Sequence, residues 1–315
     1  MINKYYAVAL IAAVAAFSMY GSTTTDVDAE FENFVSTYRK SYFSQQEYTF
    51  RKNVFKTNLE KIEELNANDE ATYGVNHMAD WTEEEQNRLL GVDASLAKKS
   101  YRSADDTYTA TPIDWRKQGV VPAIKDQGSC GSCWAFAATT NIESVAAIKN
   151  MEHPHLSEQE LVDCAGPQGM HGCNGGFMNG AYTYSQVHHG IEADSDYPYH
   201  AKDESCKAVE SHNVQRYDEV QKYTDHQTCS AVAKALETAP ISVAVDASNW
   251  SFYKGGVFSN CRTNINHAVL VVGTDADSNW IVQNSWGSRW GEDGYITLKS
   301  GNTCAVCGYG EQPVL

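Results

Sequence analysis

Apolar and polar positions divide the chain into successive regimes. The first is an apolar run from Ala7 to Phe17, preceded by Lys4 and followed by small residues around Gly21. Its length suits the hydrophobic core of a secretory signal and falls short of the roughly twenty residues a membrane-spanning helix needs. Residues 1–21 therefore read as a signal peptide, and no later stretch is apolar enough to cross a bilayer. From Val27 to about Leu90 the chain has no proline and no cysteine. Here Glu47, Arg51, Phe55, Asn58, Ile62 and Asn66 recur at spacings of three and four, which puts them along one face of a long helix. Phe31, Phe34, Tyr38 and Tyr42 give a preceding helix an apolar stripe that can pack against it. Residues 91–111 are poor in apolar side chains and mixed in charge, which predicts an exposed linker open to proteolysis.

From Pro112 onward cysteines, tryptophans and glycines multiply, so a domain boundary falls at about residues 105–112. Residues 133–149 are rich in alanine, lack proline and glycine, and repeat Phe136, Thr140, Ile142, Val145 and Ile148 at helical spacing, which predicts a long and mostly buried helix. Ser157 and Glu160 form a capping-box pattern for a short helix ending near Cys164, and a further helix is expected over 178–188. The second half changes period: strands are predicted at 241–247, 267–274, 279–283 and 295–299, with one helix at about 227–237. The pattern is that of an α+β protein with a helical N-terminal region, a helical lobe and a β-rich lobe.

Composition narrows the classes. A chain of 315 residues, 42% hydrophobic and 20% charged, can bury a large core. Its formal net charge of −16 makes nucleic acid and anionic membrane poor partners. Nine cysteines behind a signal segment read as a disulfide framework with one thiol left over.

Cys133 stands at the head of the predicted helix, where unpaired backbone N–H groups and the positive dipole end favour a thiolate. Cys130-Gly-Ser-Cys133 is also a C-x-x-C motif, which allows a redox dithiol or half of a zinc site. The first requires a small βαβ domain around it and the second another cysteine pair, and the sequence offers neither. A thiol nucleophile needs a base, a group to orient that base and donors for an oxyanion. The β-rich half offers Asn266-His267 opening an apolar strand and the block Gln283-Asn284-Ser-Trp-Gly287 just after another.

These blocks carry a resemblance. The stretch from Gln127 to Phe136 (QGSCGSCWAF), the histidine strand from Asn266 to Gly273 and QNSWG are similar to the three active-site blocks of the papain family of cysteine proteases. The stretch from Leu161 to Met178 looks most like cathepsin L. The spaced set from Glu47 to Asn66 resembles the helical propeptide signature of cathepsin L-like zymogens, and Gly74 to Asp80 resembles the motif that follows it, with Met78 where phenylalanine is usual. The resemblance implies an α+β, papain-like two-lobe fold: a helical lobe and a β-rich, barrel-like lobe with a cleft between them, behind a helical inhibitory prodomain. It divides the chain into signal peptide (1–21), propeptide and linker (22–108) and mature peptidase domain (109–315).

It also implies Cys133 as nucleophile, His267 as general acid and base, Asn284 as the group holding the imidazole, and Gln127 in the oxyanion hole. Trp286 would cover the Asn284–His267 hydrogen bond. Gly175 and Gly176 would bond the substrate backbone. Phe177, Met178, Ala244, Ile265, Ala268 and Tyr309 would wall an apolar pocket for the second residue before the cut, made shallower by Tyr309. The implied disulfides are Cys130–Cys173, Cys164–Cys206 and Cys261–Cys304, with Cys229 and Cys307 either paired or free. The region between Cys164 and Cys173 has no long insertion, which implies an endopeptidase. No metal or other cofactor is implied. Expected partners are protein and peptide substrates, the chain's own propeptide and cystatin-like inhibitors, with the enzyme a monomer in the lysosome or secreted. Asn249-Trp-Ser251 is a glycosylation sequon. Two other readings are a non-catalytic binding protein of the same fold, which would have no need of all four active-site residues, and, more distantly, a thiol oxidoreductase.

Overall fold

The structure is a computed structural model that describes residues 26–97, 108–149, 155–213, 223–226 and 228–313. The predicted signal peptide at 1–21 and residues 98–107, which reach into the predicted domain boundary at 105–112, lie outside the described residues. The chain divides after Lys52 into two compact units.

In the first unit, α1 (Val27–Tyr38) starts at Asp26, whose carboxylate accepts the Asp28 and Ala29 N–H groups. This offsets donors that a helix start leaves unpaired. Phe31 and Phe34 are buried, and the Phe31 ring stacks on Phe34 at 5.9 Å and meets Tyr48 edge-on at 5.2 Å. Tyr48 lies in the first turns of α2 (Gln45–Asn68), and Lys52 pairs with Asp28 at 2.8 Å. The predicted aromatic stripe thus forms an apolar seam, with the charged pair at its rim.

The second unit begins within α2. Phe55, Asn58 and Ile62 are its buried face. Asn58 Nδ2 donates to the carbonyls of Ala79 and Trp81, both at 2.9 Å, while the Asn66 amide exchanges two hydrogen bonds with the backbone of Tyr73. Strand β1 (Thr72–Tyr73) pairs antiparallel with residues Tyr253–Gly255. Met78 is buried at 1% exposure, so its flexible thioether is packed inside this unit. A third helix, α3 (Glu83–Asn87), was not expected. Its signal was the Thr82/Glu85 capping box, both halves of which are formed.

After β2 (Ile113–Asp114), α4 (Cys133–Ile148) is buried from Cys133 through Ala146. A helix buried on all sides, its polar Thr139, Asn141, Glu143 and Ser144 included, must be covered on all sides and have those groups bonded internally. The covering elements include α5 (Glu158–Cys164), α6 (Met178–Val187) and the β-rich lobe. Ser157 caps α5 through the Glu160 N–H at 2.9 Å. The expected reciprocal bond is not made, because Glu160 instead accepts the Tyr184 hydroxyl at 2.9 Å and the Glu192 N–H at 2.6 Å.

The β-rich lobe contains β3 (Tyr223–His226), α7 (Cys229–Leu236), β4 (Ile241–Val245), β5 (Tyr253–Gly255), β6 (Val257–Phe258), β7 (His267–Thr274), β8 (Trp280–Gln283), β9 (Tyr295–Leu298) and β10 (Gly310–Pro313). The sheet runs β3-β10-β4-β7-β8-β9-β6, with β2 paired to β7 off that path. Among the described residues the β-rich, barrel-like lobe is not a closed barrel: the end strands of its sheet, β3 and β6, are not paired. Strand β10 escaped the pattern because its sequence is Gly-Glu-Gln-Pro. It is buried because its polar groups are used internally: the Glu311 carbonyl accepts from Asn141 and Ser242, and Gln312 Nε2 donates to Ala239 and Pro240. Asn141 also donates to the Tyr182 hydroxyl, so α4, α6, β4 and β10 share one polar pin between the lobes.

Four disulfides are present: Cys130–Cys173, Cys164–Cys206, Cys261–Cys304 and Cys229–Cys307. The last joins the two cysteines whose state the sequence left open. Cys133 is the free thiol.

Burial pushes the Glu160 carboxyl up to about 7, against the Glu192 N–H and Tyr184 hydroxyl that favour its charge. Glu160 therefore binds its proton more tightly folded than unfolded. The stability this contributes is fully present below about pH 4.5 and is lost as pH rises towards 7, a span worth on the order of 3 kcal/mol. Glu160→Gln should flatten the fall in thermal unfolding midpoint between pH 5 and 7.5; an unchanged slope would refute the assignment.

Candidate active site

Cys133 is the first residue of α4 and His267 the first of β7, and both are fully buried. One element from each lobe thus delivers a titratable side chain to their common seam. The backbone N–H of Ala268, next to His267, acts on the Cys133 thiol.

His267 Nε2 donates to Asn284 Oδ1 at 2.7 Å. The Ser285 N–H donates to the same oxygen at 2.8 Å, which fixes it as the acceptor end of the amide. The neutral imidazole therefore carries its proton on Nε2 and its lone pair on Nδ1, which is buried and makes no hydrogen bond among the described residues. Trp286 lies over the imidazole at 4.8 Å between ring centroids, and Trp250 meets it edge-on at 6.1 Å. Both indoles are themselves buried.

Electrostatically the pair is costly. Burial pushes His267 down to about 4, opposed by Asn284 and the Leu89 carbonyl. It pushes Cys133 up to about 11, opposed by the backbone N–H groups of Ala268, Gly91 and Trp134. Either charge alone is disfavoured here, because a lone ion loses its hydration without gaining a counter-ion.

Gln127 is completely buried. Its Nε2 donates to the carbonyls of Leu89 and Cys130, both at 2.9 Å, and its Oε1 accepts the Ser285 hydroxyl at 2.7 Å. Its backbone carbonyl accepts the Tyr199 hydroxyl, which also bonds Ser132 Oγ at 2.6 Å. Ser285 and Tyr199 thus position Gln127, and sequence reasoning missed both. Ser285 was visible within the QNSWG block, whereas Tyr199 had no signal because its role depends on a contact across the loop before α4.

The seam is occupied by the chain itself. Beyond the Leu89 carbonyl, the Gly91 carbonyl accepts the Gly176 N–H at 2.9 Å, the Asp93 N–H donates to the Gly176 carbonyl at 3.0 Å, and the Val92 N–H donates to the Asn266 carbonyl at 3.0 Å. Val92 and Gly176 form a parallel bridge. Residues 91–93, expected to begin an exposed linker, are instead a short backbone ribbon held from both lobes. Only glycine fits at position 91, where a Cβ would lie 1.8 Å from the Gly131 carbonyl oxygen.

Phe177, Met178, Ala244 and Ala268 are buried in one apolar cluster, against which Ile265, Tyr309, Val92 and Leu96 pack. The Phe177 and Tyr309 rings meet edge-on at 6.2 Å. Gly175 has φ 121° and lies beside Gly176, and its carbonyl accepts the His171 N–H at 2.8 Å. Cys130 is bound to Cys173, so the C-x-x-C pair does not exist as a dithiol. Asn249 is half-buried, with its amide donating to the Asn260 carbonyl at 3.0 Å.

Comparison with known proteins gives two family matches, one on either side of residue 100. Residues 109–315 match the model of the papain family cysteine proteases, and residues 31–86 match the cathepsin propeptide inhibitor domain. Cathepsin L 2 of Paramecium tetraurelia is 40% identical over 312 residues, covering 95% of this chain and 98% of that protein. Digestive cysteine proteinase 3 of Homarus americanus is 37% identical over 317 residues, covering 95% and 98%. Among solved structures, digestive procathepsin L 3 of the Tenebrio molitor larval midgut superposes with a TM-score of 0.80 at 34% identity, covering 92% of this chain and 100% of that one.

Proposed function

The chain belongs to the papain family of cysteine proteases and carries its propeptide inhibitor domain, and on that premise we propose how its own residues divide the work of a cysteine endopeptidase made as a zymogen. Cys133 Sγ attacks the peptide carbonyl. The Gln127 side-chain amide and the Cys133 backbone N–H hold the oxyanion, and His267 protonates the leaving amine, then activates the water that releases the acyl-enzyme. Asn284 keeps the His267 proton on Nε2, so that Nδ1 is the basic atom. Trp286 shields that bond, and Ser285 and Tyr199 keep Gln127 aimed.

One observation carries this reading: Gln127 Nε2 donates to the Leu89 carbonyl at 2.9 Å, and the same carbonyl acts on His267. This supports reading the Leu89 carbonyl as a stand-in for a substrate carbonyl, with the backbone around it running the wrong way. In a substrate, residues preceding the scissile carbonyl lie along Gly176 and the apolar pocket. Here the residues that follow Leu89 lie there, with Val92 against the pocket cluster. The segment therefore occupies the site in reverse and is not cut.

Activation is then a change of hydration as well as of access. Bringing a thiol from about 8.5 to about 4 takes roughly 6 kcal/mol, and a helix dipole supplies at most about 2, so the imidazolium of His267 must provide most of it. Under the segment both groups are dry, and the neutral pair is favoured. With the segment gone, water and substrate reach the seam and the thiolate–imidazolium pair becomes the resting form. The four disulfides suit an oxidising secretory compartment.

The wall formed by Phe177, Met178, Ala244, Ile265, Ala268 and Tyr309 suits an aliphatic residue at the second position before the cut, with Tyr309 limiting its depth. A peptide library should show Leu and Val accepted at least as well as Phe there; a wide margin for Phe would contradict the shallow pocket. Cys133→Ala should abolish cleavage of a dipeptidyl fluorogenic substrate after acid activation. Gly91→Ala, whose Cβ collides with the Gly131 backbone, should release the segment and give activity without acid treatment. Activity surviving in the Cys133 variant would overturn the mechanism, and a silent Gly91 variant would overturn the covering role of the segment.

A further inference from the structure

The ribbon that covers the site is a resident ligand, and its side chains report on what the cleft can hold. Counted outward from Cys133, Gly91 comes first. Val92 follows, opposite Gly176 and against the apolar pocket cluster, and Asp93 comes next. A substrate leaving the thiol along the same path presents its first, second and third residues before the cut. Val92 thus stands in for the second residue and Asp93 for the third.

The Asp93 carboxylate does not hang in solvent. Its Oδ1 accepts the Ser95 N–H at 2.9 Å and the Ser95 hydroxyl at 2.6 Å, while Oδ2 lies 3.8 Å from His171 Nε2. These Ser95 bonds, with a smaller contribution from His171, hold its carboxyl below the usual carboxylate range. His171 belongs to the loop that carries the substrate-facing glycines: its N–H bonds the Gly175 carbonyl, and its own carbonyl accepts the Asn174 N–H. Its imidazole is more than half exposed at the rim. The other carboxylate at this loop, Asp203, is committed to the Cys173 N–H at 2.7 Å.

We propose that His171 is a specificity-determining residue of the mature enzyme: when protonated, it favours peptides with an acidic side chain at the third position before the cut. The proposal rests on the reading of Cys133 and Gly176 given above, and adds to it a charge preference that the apolar pocket does not imply. A protonated imidazole attracts a substrate carboxylate, whereas a neutral imidazole or a neutral glutamine side chain gives no such attraction. The pair is exposed and screened by salt, which sets its size at about threefold in kcat/KM and not at orders of magnitude.

The test uses the acid-activated enzyme and two fluorogenic tripeptides that differ only in Glu or Gln at the third position, with Leu at the second. The Glu to Gln ratio of kcat/KM is measured at pH 5.5 and 7.5 in wild type, His171→Gln and His171→Lys. The expected ratio is about three for wild type at pH 5.5, falling towards one at pH 7.5. It should be near one at both values in the glutamine variant and stay high at both in the lysine variant. A wild-type ratio of one or less at pH 5.5, or a raised ratio that persists in His171→Gln, overturns the proposal. Failure of wild type to cleave either peptide would instead sink the protease reading itself, so the two failures are distinguishable.

Discussion

Two ionisable side chains buried together with no other counter-charge are the constraint from which the rest of this structure follows. Cys133 and His267 are each fully enclosed, and burial moves their proton affinities apart, the thiol up and the imidazole down. A protein tolerates such a pair only where the neighbours fix proton positions by hydrogen bonding and exclude stray water. Asn284, itself fixed by the Ser285 N–H, does the first for His267, and Trp286 with Trp250 does the second.

The scaffold serves this pair in a definite way. A thiol at a helix start and an imidazole at a strand start meet only if the helix and strand are held in register from different lobes. The buried pin of Asn141, Tyr182, Ser242 and Glu311 provides that register on the far side of α4. The Cys130–Cys173 bridge fixes the loop between Gln127 and Cys133 and ties it to the segment ending in Gly175 and Gly176. The buried Lys125, held charged by Glu143 and Glu158 at 2.8 and 2.6 Å, braces the segment entering that loop against α4 and α5. Removal of the lysine would leave two buried carboxylates without their counter-charge.

Legibility in the sequence followed the range of the forces involved. The α4 helix and strand β7 could be read directly, because an unbroken Ala-rich run and an apolar run opened by His267 are local signals. Gln127, Cys133, His267 and Asn284 could be named because each sits in a compact block with its neighbours. Polar burial was invisible: β10 is Gly-Glu-Gln-Pro, and only its long-range partners make it a strand. The same holds for Tyr199 behind Gln127, for the pairing of Cys229 with Cys307 and for the Glu160 side chain turned away from its expected cap. The ribbon at 91–93 read as linker because its bonds are backbone bonds to Gly176 and Asn266, which composition does not encode. That the sheet stays open at β3 and β6 is a similar case, since strand periodicity says nothing about closure.

The central claim is that the covering segment keeps Cys133 and His267 dry and neutral, and that its removal is what charges them. The most direct measurement is the rate of Cys133 alkylation by a neutral haloacetamide as a function of pH, in the intact chain and after acid processing. The account predicts an intact chain that is slow from pH 5 to 8 and accelerates only in strong alkali, in line with a thiol pushed up to about 11. The processed enzyme should react fast, with a profile nearly flat down to mild acid. An intact chain alkylated as rapidly as the processed enzyme between pH 5 and 8 would contradict it.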